Sequence, residues 1–270
     1  MSESDSIKIS DGGPVTEEQL VSNLQTLGVE RNDTLLVHSS LSHLGWVVGG
    51  SVTVVNALLN AVGPNGTVVM PTHSGDLSDP ANWSNPAVDK SWWSAIKDTM
   101  PPFDPARTPT RGMGAIVDCF RSVPDVLRSH HPQTSFAAFG RHASQITNNH
   151  LLENSLGESS PLARLYELDA KVLLLGVSHE SNTSLHLAEY RVTYNGKNFV
   201  KNGAPGAKAG AWIEFEDIEL NSEDFETLGT DFEKTGSIRS GKVGYASSRL
   251  MRQRRLVDFA EDWFASNRSI

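Results

Sequence analysis

An α/β fold, with a buried sheet covered by helices on both faces, is what the order of elements along this chain predicts. Three observations carry the prediction. Short apolar runs at residues 34–38, 67–70 and 171–177 read as strands buried on both sides. Turn-forming residues (serine, proline or glycine) close each of these runs. Strands alternate with helical patterns through the first two thirds of the chain, which demands a helical layer on each face of the sheet. The 270 residues fit one such unit, spanning 15–270 after a flexible tail at 1–14.

The elements follow in order. Thr16 and Gln19 form a capping box ahead of Leu20, Leu24 and Leu27, so a first helix runs to Gly28. Thr34–His38 is the first strand. Ser51 caps a helix that runs through Val62, the turn Gly63-Pro64-Asn65-Gly66 follows, and Thr67–Met70 is the second strand. Residues 71–110 hold prolines and tryptophans without periodicity and read as an irregular insertion over the sheet, the kind of long loop that usually carries function. A helix is expected over 112–122, a strand over 135–140, and a helix opened by Pro161 after Ser159-Ser160. Lys171–Val177 is the clearest strand, and a helix from Thr183 to Tyr194 should follow it. Residues 195–210 read as a mobile loop, 211–218 as a half-buried strand, and Ser222 to Gly229 as a short helix. Ser247 to Phe264 reads as one amphipathic helix with Arg249, Arg252, Arg254 and Arg255 in its middle.

Composition narrows the function. Hydrophobic residues make up 38% and charged residues 20%, as in ordinary globular proteins. The single cysteine, Cys119, rules out a disulfide within the chain and argues against a thiolate zinc site. The opening MSESDSIKIS has no apolar leader core, and no run approaches the ~20 apolar residues that span a bilayer, so the expected compartment is the cytoplasm, with no membrane partner. With 23 Lys and Arg against 32 Asp and Glu, the net charge of −9 lacks the basic footprint of a nucleic-acid binder and would attract a cationic small molecule. Nothing in the sequence fixes the oligomeric state, homo-oligomers included.

Candidate site residues gather at the ends of the strands, where α/β sheets bind ligands. Val37-His38-Ser39-Ser40-Leu41 offers hydroxyls and backbone N–H groups, and Gly49-Gly50-Ser51 opens the next helix, an arrangement suited to phosphate oxygens as well as to a plain capped turn. His73 and Asp76 follow the second strand in the same way. His130-His131 invites a metal, but no compatible third ligand accompanies the pair, so no metal is expected and His131 reads as a wall or structural residue. The stretch from Gly176 to Tyr190 leaves the best strand and enters a helix. His186 lies in its first turn and Glu189, three residues on, shares its face. A carboxylate beside an imidazole builds a general base, and equally a structural histidine; spacing alone leaves both open. Glu214, Glu216, Asp217 and Glu219 make an acidic strand that is either a solvated face or a contact for a cationic ligand.

Several segments together resemble the aminoglycoside 3-N-acetyltransferase family: Leu36-Val-His-Ser-Ser-Leu41, Gly63 to Thr72, Gly112-Met-Gly-Ala115, His131-Pro with Ser135-Phe-Ala-Ala, Ser160-Pro-Leu, and Leu173 through Leu185-His-Leu-Ala-Glu189. The likeness spans about residues 15–265. It implies a three-layer α/β/α sandwich around a mixed sheet, unlike the Gcn5-type fold, with acetyl-coenzyme A as co-substrate and the 3-amino group on the 2-deoxystreptamine ring of an aminoglycoside as acceptor, hence antibiotic resistance. It makes His186 the general base. It places coenzyme A against His38, Ser39 and Ser40, with further contacts at Thr72, Met113, Gly114 and Ser135. Where the family often has Gly-His-Asp, this chain has Ser178-His179-Glu180, which keeps an acid one carbon longer. Asp76, Glu180, Asp217 and Glu219 are the candidate substrate contacts. The competing readings are the same transfer to a different amine, a coenzyme A-binding protein with little catalysis, and an acyl-CoA hydrolase.

Overall fold

The computed structural model describes residues 3–208 and 210–268. In chain order the helices are α1 (Glu3–Ile9), α2 (Glu17–Leu27), α3 (Ser51–Val62), α4 (Trp93–Thr99), α5 (Ala115–Phe120), α6 (Ala143–Thr147), α7 (Pro161–Glu167), α8 (Ser184–Arg191), α9 (Phe225–Glu233) and α10 (Gln253–Asn267). The strands are β1 (Thr34–Ser39), β2 (Thr67–Pro71), β3 (Leu127–Arg128), β4 (Phe136–Gly140), β5 (Lys171–Leu175), β6 (Phe199–Pro205), β7 (Trp212–Ile218), β8 (Ile238–Val243) and β9 (Ala246–Arg252).

Seven strands form one sheet in the order β3-β4-β2-β1-β5-β9-β8. The central strands β2, β1 and β5 are parallel, and antiparallel strands flank them on both sides. Strand alternation divides the apolar residues between two cores. Leu35, Val37, Val68, Met70, Leu173 and Leu175 pack under α2, α3 and α5. Leu36, Val69, Val172 and Leu174 pack under α6 to α10. Each fully buried leucine or valine contributes roughly 1.5–3 kcal/mol of transfer free energy. The result is the expected α/β/α arrangement around a mixed sheet.

Local chemistry accounts for most boundaries. The capping box on α2 forms in both directions: Thr16 Oγ1 accepts from Gln19 N, and Gln19 Oε1 accepts from Thr16 N. Pro161 opens α7 behind Ser160, whose hydroxyl accepts from Leu162 N. Gly140 has φ +115°, and a Cβ there would lie 2.1 Å from the Gly66 carbonyl oxygen. Only glycine lets β4 close against the turn before β2.

Other expectations are corrected. Residues 3–9 of the supposed flexible tail are helical, and Ser6 Oγ and Ser10 Oγ tie the segment to Ser42 O and Trp46 N. The supposed mobile loop at 195–210 contains β6, paired with β7 in a separate two-stranded sheet. Ser247–Phe264 is not one helix: β9 runs to Arg252 and α10 starts at Gln253. The helix after β5 is shorter than expected, and that after Ser222 starts later and runs on to Glu233. The insertion, expected to be irregular, is so apart from short turns and α4. Gln133 Nε2 fastens it by donating both to Leu77 O and, across to β6, to Gly203 O.

Candidate active site

β1 and β5 end side by side, with Ser39 opposite Leu175 and Ser40 N bonded to Leu175 O at 3.0 Å. The chain leaves β5 through Gly176, at φ +71°, where a Cβ would meet His43 Cβ at 2.9 Å. A short turn at 179–181 then feeds α8. Wholly buried Asn182, one residue before the N-cap Thr183, accepts from Ser184 N at the helix start. His186 falls in the first turn of α8, its ring centroid 4.8 Å from that of Phe225.

Glu189, one turn on and wholly buried, accepts a hydrogen bond on Oε2 from His186 Nδ1. Its other oxygen, Oε1, accepts from Arg268 Nη1 at 2.5 Å and from Asn221 N at 3.2 Å. Arg268 also forks onto Asp224 at 2.6 and 2.7 Å. The contact with a carboxylate oxygen places the imidazole proton on Nδ1 and leaves the Nε2 lone pair of His186 free of any partner among the described residues. The arrangement suits proton uptake.

Two more histidines lie within the electrostatic reach of His186. His38, with Nε2 3.4 Å from Thr183 Oγ1, is pushed down to about 3 by burial and then by the charge of His186. His73 is likewise pushed down to about 3, mainly by burial. Both are therefore neutral at neutral pH.

Two clefts open beside this group. The larger, about 640 Å³, is walled by Ser39, Ser40, Trp46, Gly50, Met113 and Gly114. The N-terminus of α3, which has no side-chain cap, opens onto it at Gly50. Free backbone N–H groups there suit phosphate oxygens. The smaller, about 250 Å³, is walled by His38, Ser39, His73, Met113, Glu180 and Thr183. Ser39 and Met113 belong to both, so the clefts meet along a shared wall. His186 itself lines neither, and its nearest link to them is through His38 and His73.

The site residues read from sequence divide accordingly. His38, Ser39, Ser40, Met113 and Gly114 come together in the clefts, and Glu180 joins them. Thr72 and Ser135, expected at the cofactor, do not. Both are wholly buried, and their hydroxyls bond each other and the Arg128 guanidinium beneath the insertion. Asp217, expected to face a cationic ligand, points inward, because alternation along β7 exposes Glu214 and Glu216 instead. Its carboxylate accepts from Tyr190 Oη at 2.7 Å and Ser155 N at 3.0 Å. Asp76 is half-exposed and paired with Arg111. Glu219 is exposed and accepts from Asn198 Nδ2 at 3.4 Å. His131 uses both ring nitrogens on backbone groups of Gln133, Thr134 and Leu152. Cys119 is half-buried against the core under α5. Arg268, Asn221 and Asp224 are the residues the sequence reading missed. Arg268 sits 79 positions from Glu189, and no local pattern announces such a contact.

Known proteins share this architecture. The family model described as aminoglycoside 3-N-acetyltransferase matches residues 36–265. The SPbeta prophage-derived aminoglycoside N(3')-acetyltransferase-like protein YokD of Bacillus subtilis is 46% identical, with 95% of this chain and 94% of that one aligned. Its crystal structure superposes with a TM-score of 0.93 at 45% identity, covering 96% and 97% of the two chains. Aminoglycoside N(3)-acetyltransferase VII of Streptomyces paromomycinus is 35% identical over 95% of this chain and 93% of its own. The structure of AAC-IIIb in binary complex with CoASH matches with a TM-score of 0.85 at 31% identity, over 95% and 98%.

Proposed function

The chain belongs to the aminoglycoside 3-N-acetyltransferase family, and from that premise we propose that it transfers an acetyl group from acetyl-coenzyme A to the 3-amino group of an aminoglycoside, in the cytoplasm, conferring resistance. The observation that carries the reading is the chain Arg268–Glu189–His186 beside a cleft suited to phosphates. In this reading coenzyme A lies along His38, Ser39, Ser40, Met113 and Gly114. Glu180, Asp76 and Glu219 meet the cationic acceptor.

An ammonium has no lone pair with which to attack a thioester carbonyl. The ammonium therefore first gives up one proton to solvent; as the free amine attacks, His186 Nε2 takes a second proton from the nitrogen, and Glu189, paired with Arg268, stabilises the resulting imidazolium. The C–N bond forms, the C–S bond breaks, and the imidazolium returns its proton to the departing sulfur. Coenzyme A leaves as the thiol.

A second reading, the same transfer to a smaller amine, draws support from the engagement of Asp217 with Tyr190 and of Asp76 with Arg111, which leaves fewer free carboxylates for a polycation. One assay separates the two: thiol release from acetyl-coenzyme A without amine, with aminoglycosides, and with simple amines. Release only with aminoglycosides supports the first reading, and release only with simple amines supports the second. Release without any amine indicates hydrolysis and refutes both.

A further inference from the structure

A further cavity, of about 510 Å³, lies at the opposite end of the sheet from Ser39 and Gly176, where Lys171 at the start of β5 pairs with Arg252 at the end of β9. Arg239, Arg254 and Arg255 also line it. Some of these charges are spent. Lys171 Nζ is held by Glu30 at 3.1 Å and Asp33 at 2.8 Å, and Arg252 pairs with Asp169 at 3.2 Å. Arg254 donates to the carbonyls of Tyr166 and Glu167 and lies over the Tyr166 ring, 5.3 Å from its centroid. Arg239 and Arg255 have no ion-pair partner among the described residues. Glu30, Asp169 and Asp258 line the cavity too, so five cations stand against three acids, and Arg239, Arg254 and Arg255 face it without a direct ion pair, in a chain of net charge −9.

The start of α10 deepens the anomaly. Arg252 occupies the N-cap without a side-chain cap, Arg254 and Arg255 fill the first turn, and no acid stands there. The helix dipole disfavours cations at this end. The cations around the cavity outnumber its acids, and the excess like charges disfavour each other as well. A sequence that breaks local rules at one place marks it for a purpose other than stability. A bound anion would relieve both costs.

We propose that this cavity binds a multiply charged phosphate-type oxyanion. The guanidinium fork matches pairs of phosphate oxygens, and the volume exceeds that of a single phosphate, leaving room for a diphosphate ester. The source is either a soluble phosphate compound or a phosphoinositide headgroup. The site is separate from the cleft assigned above to coenzyme A and does not depend on that assignment.

The test is calorimetric titration of the full chain with pyrophosphate at low ionic strength. In parallel, vesicles with and without phosphatidylinositol bisphosphate are assayed by sedimentation. Expected is a Kd below about 1 mM for pyrophosphate or capture by the phosphoinositide vesicles, weakened at least tenfold in Arg239→Ser/Arg255→Ser. Both substituted side chains are exposed, and an unchanged circular dichroism spectrum and urea unfolding midpoint show that the variant is folded. Equal binding by the variant, or no binding to either probe, overturns the proposal.

Discussion

Arg268 donates from Nη1 to Glu189 Oε1 at 2.5 Å and thereby joins the end of α10 to the first turns of α8. The contact satisfies the oxygen that His186 does not use, so one carboxylate links imidazole and guanidinium. Arg268 is therefore a positioning residue for the proposed base. In Arg268→Met the buried Glu189 charge loses its cation, and breaking such a pair costs about 3 kcal/mol. With His186 less firmly oriented, kcat should fall about tenfold or more with little change in the KM for acetyl-coenzyme A, and the acid limb of its pH profile should shift. Lysine at this position should restore part of the loss. A variant that unfolds more easily yet keeps its kcat and pH profile would make Arg268 merely structural.

His186 itself is open to a sharper test. General-base catalysis contributes about 10²–10⁴-fold. His186→Ala should lose turnover by that factor, and coenzyme A, which the proposed function places along Ser39 and Ser40, should be retained in equilibrium dialysis. Near-normal turnover in this variant would remove His186 from the mechanism.

Cys119 offers the rival route, an acyl-enzyme. It is half-buried among apolar residues and adjoins neither cleft. Cys119→Ser should keep full activity, and no acetylated protein should be detectable by mass spectrometry after incubation with acetyl-coenzyme A alone.

The sequence made some of this legible and hid the rest, for identifiable reasons. β1, β2 and β5 are apolar on both faces, so their runs stood out. β9 did not, because Arg249 and Arg252 beside Leu250 and Met251 fit a helical stripe as well as a strand; pairing with β5 decides between them. β6 was hidden by Lys201, Asn202 and Gly203, whose order comes from β7 rather than from a core. His186 and Glu189 share a helix face, so their partnership is local. Arg268 and Asn221 reach Glu189 only through the tertiary fold.

Gly229 in α9 illustrates another long-range constraint. A Cβ there would stand 2.0 Å from His179 Cγ. His179 is wholly buried, with its ring on Glu233 at 3.0 Å and its backbone N–H on Glu226 at 2.9 Å, so it has nowhere to move. Gly229→Ala should destabilise the fold by about 1–3 kcal/mol. In a His179→Ala background the same substitution should cost much less, as contact coupling requires. Equal costs in both backgrounds, measured by urea unfolding, would refute the steric account.

Acid sensitivity follows from the buried histidines. His38 and His73 are pushed down to about 3 and His131 to about 4, each chiefly by burial, against an ordinary value of 6.5. Folding keeps them neutral, while the unfolded chain protonates them below about pH 6.5. In that range the unfolded state binds more protons, so stability rises with pH and is lost on acidification. The contribution is fully present above pH 6.5 and drains away down to the folded values near 3–4. Each histidine removes up to about 1.4 kcal/mol per pH unit. Between pH 6 and 5 ordinary carboxylates remain ionised in both states, so the histidines dominate the slope. Urea unfolding at pH 7, 6 and 5 should show stability falling more steeply at each step. His131→Gln, in which an amide can still accept from Gln133 N and donate to Leu152 O, should flatten the slope by roughly one histidine's share. Stability that is level from pH 7 to 5, or a slope unchanged in the variant, would show that these side chains are not held neutral by the fold.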